Sequence, residues 1–154
     1  MLLRRIAGVA RPPGAAEASA PVVGLTAPLR GDETILLVEN ETPVRALMRD
    51  ILRMQGYTVL DARSGEEALD MAARSRNTID LILTDIVMPG IAGRALVERI
   101  ETGRPGVKSL YVSGHGEDAM REQGLAPAAA NFLAKPFSVD ALARKVREVL
   151  DASG

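Results

Sequence analysis

The chain contains no cysteine and no tryptophan, and only one histidine, two phenylalanines and two tyrosines among its 154 residues. The missing cysteine excludes disulfides, zinc–thiolate sites and thiol catalysis, and a reducing cytoplasm fits that composition. A single histidine, His115, excludes a multi-histidine metal site, and any Ser-His-Asp triad would have to use it. A histidine kinase would need that residue inside a helical dimerisation region, which so short a chain lacks, and the plain reading of His115 is a loop residue. Charge of one sign is also missing: 19 basic and 20 acidic side chains are mixed along the sequence, for a net charge of −1. No basic field exists to attract nucleic acid or an acidic membrane surface, and no apolar run approaches membrane-spanning length. What remains is a length sufficient for one domain with a full hydrophobic core and a tail.

The tail is residues 1–32, rich in Ala, Pro and Gly, without strand alternation and broken around Pro12-Pro13-Gly14 and again from Pro28 to Gly31. It reads as a flexible segment. Its start, MLLRRIAGVAR, places Leu2, Ile6, Val9 and Ala10 near helical spacing, which also fits an amphipathic partner-binding segment. Ala18-Ser19-Ala20 has the form of a signal-peptidase site, but the apolar stretch from Ile6 to Ala10 is too short for a signal core and is closed by Arg11.

From residue 33 to 152 the pattern becomes strand, helix, strand, helix. Ile35 to Val38 is a continuous apolar run, as in a strand covered on both faces. Thr42 is placed to cap a helix with Pro43 at its first position, and Val44, Leu47, Met48, Ile51 and Leu52 make its inner face before Gly56. Tyr57–Leu60 is a second strand, Ser64-Gly65-Glu66-Glu67 a capping box that opens a second helix to about Arg74, and Ile79–Thr84 a third strand. Gly93–Glu101 follows as a helix, Ser109–Ser113 as a strand, Glu117–Gln123 as a short helix and Asn131–Ala134 as a fifth strand. Ser138 caps a last helix with Val139, Leu142, Val146 and Val149 inward. The alternation predicts an α/β fold, a doubly wound five-stranded parallel sheet with helices on both faces. In such sheets function gathers beyond the carboxyl ends of the strands.

Taking only the residues that end or follow the strands, the sequence supplies Glu39 and Asn40, then Asp85, Ser113, and Lys135 before Pro136. Two carboxylates and an amide oxygen can hold a hard divalent cation, a hydroxyl and an ammonium can hold phosphoryl oxygens, and Asp85 could serve as nucleophile. Singly, each residue has a plainer reading: Asp85 as a cap, an aromatic such as Phe132 as core, Lys135 as a solvated cation. Their order across the strands favours the joint reading. With three lysines against sixteen arginines, a lysine in front of Pro136 is also suggestive.

VENE, LTDIVMPGIAG, YVSG and FLAKPF stand in the order and spacing of bacterial response-regulator receiver domains, and the chain resembles that family from residue 34 to 151. The resemblance implies the flavodoxin-like strand order 2-1-3-4-5 and phosphorylation of Asp85 by a partner histidine kinase or phosphotransfer protein. It implies magnesium bound by Glu39, Asp85 and the main-chain carbonyl of Val87, with Ser113 and Lys135 on the phosphoryl group. Phe132 would change rotamer with Ser113, and the Lys135–Pro136 bond would be cis.

The chain departs from the family at Asn40, where most receivers carry an aspartate that touches the metal. An amide oxygen can ligate magnesium but brings no charge. Its loss also relieves repulsion between Glu39 and Asp85, so the expected weakening of magnesium binding is about one to two orders of magnitude. Glu41, beside Thr42, is expected to face solvent and not to compensate. Val87 is apolar where many receivers have a polar group near the attacking water, and Ala92 replaces an acid common before Gly93, with no catalytic consequence.

Two functions follow: a phosphoacceptor receiver that shifts its fourth-helix to fifth-helix surface, or a pseudo-receiver, the same fold used as a binding module independently of phosphate. An aspartate-nucleophile phosphatase would need a second aspartate two residues after Asp85, where Val87 stands, and no GxxxxGK[ST] loop supports nucleotide hydrolysis. The protein is therefore expected to catalyse only its own phosphorylation and dephosphorylation. No output domain fits before Thr34 or follows Gly154, so action through another protein is expected, without nucleic acid or membrane insertion.

Overall fold

The computed structural model describes residues 30–114, 116–125 and 131–152. The tail up to residue 29 and His115 lie outside the described residues. Strands β1 (Thr34–Val38), β2 (Thr58–Ala62), β3 (Leu81–Asp85), β4 (Lys108–Ser113) and β5 (Phe132–Ala134) alternate with helices α1 (Thr42–Met54), α2 (Gly65–Arg74), α3 (Gly93–Gly103), α4 (Gly116–Glu122) and α5 (Val139–Asp151). All pairings are parallel, in the order β2-β1-β3-β4-β5, with Leu36 opposite Ile82 and Thr84 opposite Tyr111.

Because strand side chains alternate between faces, the apolar runs of β1 and β3 feed two cores. Ile35, Leu37, Leu81 and Leu83 pack with Met48, Ile51 and Leu52 of α1 and with Leu142, Val146 and Val149 of α5. Leu36, Val38 and Ile82 pack on the opposite face with Ala68 of α2, Leu96, Val97 and Ile100 of α3, and Met120 of α4. β1 is buried along Ile35–Val38, so truncating Leu36 to Ala costs about 2–5 kcal/mol.

Three expectations of local structure are corrected. Helix α1 begins at Thr42 itself, with Glu41 in the capping position and no side-chain cap bond, because Pro43 falls within the first turn and the chain enters helix one residue early. Leu47 is 56 % exposed, since it lies about 100° around the helix from Met48, off the stripe that meets the sheet. Val139 is 52 % exposed because it is the first residue of α5, a turn ahead of Leu142 where the buried stripe starts. The caps at Ser64 and Ser138 form, accepting from the amides of Glu67 and Ala141. Glu67 returns its carboxylate to the amide of Arg63, one residue outside the ordinary capping box.

Candidate functional site at the carboxyl rim of the sheet

Parallel pairing brings the strand ends together. Asp85 is the last residue of β3, opposite Val112, and Ser113 ends β4 opposite Ala134. Glu39 directly follows β1, with its amide on the Ala62 carbonyl at 3.1 Å, and Lys135 follows β5, with its amide on the Ser113 carbonyl at 2.9 Å. The Lys135–Pro136 peptide is cis.

The rim is polar and largely dry: Glu39 is 1 % exposed, Asp85 8 % and Ser113 fully buried. The Lys135 ammonium spans the two carboxylates, 2.8 Å from Glu39 Oε1 and 2.8 Å from Asp85 Oδ2. The other two carboxylate oxygens accept main-chain amides, Glu39 Oε2 that of Glu41 at 3.1 Å and Asp85 Oδ1 that of Val87 at 3.0 Å. Burial pushes the Glu39 carboxyl up, against the opposing pull of Lys135. Burial disfavours the Lys135 ammonium, but its hydrogen bonds to Asp85 and Glu39 outweigh that and raise its pKa, so the lysine is charged at neutral pH.

The oxygen donors present are of the kind a hard cation takes: the Glu39 and Asp85 carboxylates, the Asn40 amide and the Val87 carbonyl. Two carboxylates set against one ammonium leave a single net negative charge among these side chains. Among the described residues no three His, Cys, Asp or Glu side chains converge on a metal position. The donor set fits magnesium in kind and is thin in charge. Asn40 and Glu41 are both exposed at the mouth.

Phe132 is half-buried against the core that holds Tyr111 and Met120, one strand over from Ser113. Val87, two residues after Asp85, is 47 % exposed. Sequence reasoning missed two supports. Arg45, six residues after Glu39, donates to the Glu39 carbonyl at 2.9 Å, and Gln123 donates to the Ile86 carbonyl at 2.8 Å. Neither sits at a spacing that signals such a bond. A cleft of about 380 Å³ lined by Glu33, Thr78, Asp80, Arg104 and Lys108 opens at the opposite, amino ends of the strands.

Residues 35–147 match the family described as the response regulator receiver domain. The chain is 40 % identical over 123 residues to the sensor kinase CckA of Brucella abortus, covering 80 % of this chain and 13 % of that protein. It is 33 % identical over 114 residues to the C4-dicarboxylate transport transcriptional regulatory protein DctD of Rhizobium meliloti, covering 74 % of this chain and 24 % of that protein. It thus spans an eighth to a quarter of these relatives. Sporulation initiation phosphotransferase F of Bacillus subtilis is 28 % identical over 119 residues, 77 % of this chain and 94 % of that one. The crystal structure of the receiver domain from the hybrid histidine kinase CckA superposes with a TM-score of 0.65 at 35 % identity, covering 77 % of this chain and 99 % of that one. The chain belongs to the response regulator receiver family of two-component signalling.

Proposed function

We propose that the protein is a cytoplasmic phosphoacceptor receiver of a bacterial phosphorelay, phosphorylated on Asp85 by a partner histidine kinase or histidine phosphotransfer protein. The observation that carries this reading is the Lys135 ammonium, 2.8 Å from both Glu39 and Asp85, at a rim where the strand ending in Asp85 pairs with the strand ending in Ser113. An Asp85 carboxylate oxygen attacks the phosphorus of the donor, forming an acyl phosphate P–O bond as the donor's P–N bond breaks, and the imidazole leaves with the electron pair and takes up a proton. Lys135 and the Ser113 hydroxyl then hold phosphoryl oxygens, and Phe132 follows Ser113. Glu39, Asp85, Asn40 and the Val87 carbonyl would hold a magnesium ion, which would supply charge neutralisation. Attack of water on phosphorus returns Asp85 and inorganic phosphate. Output runs through contacts of α4, β5 and α5 with another protein.

The exposed, uncharged Asn40 favours a second reading, a pseudo-receiver that binds its partner regardless of phosphate. Acetyl-phosphate labelling with and without magnesium, followed by intact mass, separates the two. One phosphate adduct on the native chain and none on Asp85→Asn supports the acceptor. An adduct that persists on Asp85→Asn removes the assignment, and a native chain that stays unlabelled leaves the pseudo-receiver.

A further inference from the structure

We infer that Gln123, in the turn directly after α4, is a positioning residue for the Asp85 carboxylate and ties the end of α4 to the acceptor loop through a single peptide plane. The inference rests on the reading of Asp85 as phosphoacceptor. The Ile86–Val87 peptide is held at both ends: its carbonyl accepts from Gln123 Nε2 at 2.8 Å, and its N–H donates to Asp85 Oδ1 at 3.0 Å. The peptide unit is planar, so the carbonyl cannot turn without turning the N–H. Gln123 therefore fixes the direction from which Asp85 Oδ1 receives its hydrogen bond.

The other half of the Gln123 amide faces α3. Its Oε1 accepts from the amide of Arg94 at 3.0 Å, in the first turn of α3, and the Arg94 guanidinium returns to the Gly124 carbonyl at 3.1 Å. One side chain thus needs a donor toward Ile86 and an acceptor toward Arg94. Glutamine supplies both, glutamate only the second. Space for it is made by Gly93, at φ +55, where any Cβ would run into Gln123 Oε1. From the other flank the acceptor loop is held by Glu66 of α2, whose Oε2 accepts from the amide of Ile91 at 3.2 Å. The loop carrying the acceptor's neighbours is therefore pinned on both sides, and only the Gln123 pin reaches the Ile86–Val87 peptide.

The coupling runs both ways. Conversion of the Asp85 carboxylate to an acyl phosphate removes its negative charge, weakens its hold on the Val87 N–H, and so loosens the peptide that Gln123 grips. This route to α4 is separate from the hydroxyl and aromatic of Ser113 and Phe132.

The test compares native protein with Gln123→Met, which removes both bonds, and Gln123→Glu, which keeps only the acceptor. In unphosphorylated protein, amide exchange at Val87 is expected to rise up to about tenfold in both variants. Exchange at Leu83 inside β3 should stay as in the native chain. The Arg94 amide should lose protection in Gln123→Met and keep it in Gln123→Glu, a split that general destabilisation would not produce. Labelling by acetyl phosphate is expected to slow about 3- to 10-fold in both, in line with one lost hydrogen bond. Unchanged Val87 exchange overturns the inference, and so does faster exchange with unchanged labelling. A native chain that takes no label removes the phosphoacceptor reading, and the exchange at Val87 then still decides whether Gln123 holds the Asp85 peptide.

Discussion

Lys135 Nζ donates to Glu39 Oε1 at 2.8 Å across 96 positions of sequence, and the carboxylate it meets is 1 % exposed. A buried carboxylate beside a second one, Asp85, is tolerated in the metal-free protein because this ammonium is shared between them. Lys135→Met leaves both without their cation. We expect a loss of about 1–3 kcal/mol in metal-free urea unfolding, below the cost of a fully buried pair because the lysine reaches solvent. Millimolar magnesium should recover part of it, and the double variant with Glu39→Gln should be more stable than Lys135→Met alone. Unchanged stability would show that water already solvates both acids.

At the other end of the molecule, Arg147 holds Glu33 through both carboxylate oxygens, at 2.6 and 3.1 Å, and also donates to the Tyr57 hydroxyl at 3.2 Å. The Arg147 hydrogen bonds keep the Glu33 carboxyl below its ordinary 4.5. A depressed folded-state pKa contributes stability that is complete above the unfolded value and is lost as pH falls through the folded one. Glu33→Gln is therefore expected to cost about 1 kcal/mol at pH 6–7. The gap should close as the pH drops below 4.5 toward the folded value. Thermal melts of both proteins across pH 3–7 check it. A gap independent of pH would mean that packing, not charge, carries the effect.

Deletion separates the tail from the domain. The Gly31 amide donates to the Gln55 carbonyl at 3.0 Å, and the Arg30 carbonyl accepts from Arg147 at 3.2 Å. Removing residues 1–29 is expected to leave the melting temperature within about 2 °C, since the composition supplies no periodic apolar face to the sheet. Removing 1–32 takes away these two hydrogen bonds as well and is expected to lower it by a few degrees more. A large drop on the shorter deletion would show that the tail packs on the domain.

The fold was readable because its signals are periodic and local. Ile35–Val38 and the run into Asp85 have the continuous apolar pattern of strands covered on both faces, and they feed the two cores. Strand ends then placed Glu39, Asp85, Ser113 and Lys135 on one rim, because pairing register converts order along the chain into neighbourhood. Side-chain reach was not readable. Gln123 meets Ile86 across 37 positions and Arg45 turns back on Glu39 from the first turn of α1, contacts set by helix docking angles that no spacing encodes. Leu47 failed for a related reason: composition marks it apolar, but the width of the buried stripe depends on the sheet beneath it.

Asn40 sets the last prediction. It stands exposed beside a carboxylate pair that shares one ammonium, and no third acid converges there among the described residues. Asn40→Asp adds a charge at the mouth. Magnesium affinity is expected to rise about 10- to 100-fold, or about 1.4 to 2.8 kcal/mol, and magnesium-dependent labelling of Asp85 should quicken with it. The metal-free fold should become less stable, because three carboxylates would share the single Lys135 ammonium. Magnesium titrations and metal-free melts on both proteins measure the two effects separately. Equal affinities would mean that the side chain at position 40 does not reach the cation, and the metal would then be held by Glu39, Asp85 and the main chain alone.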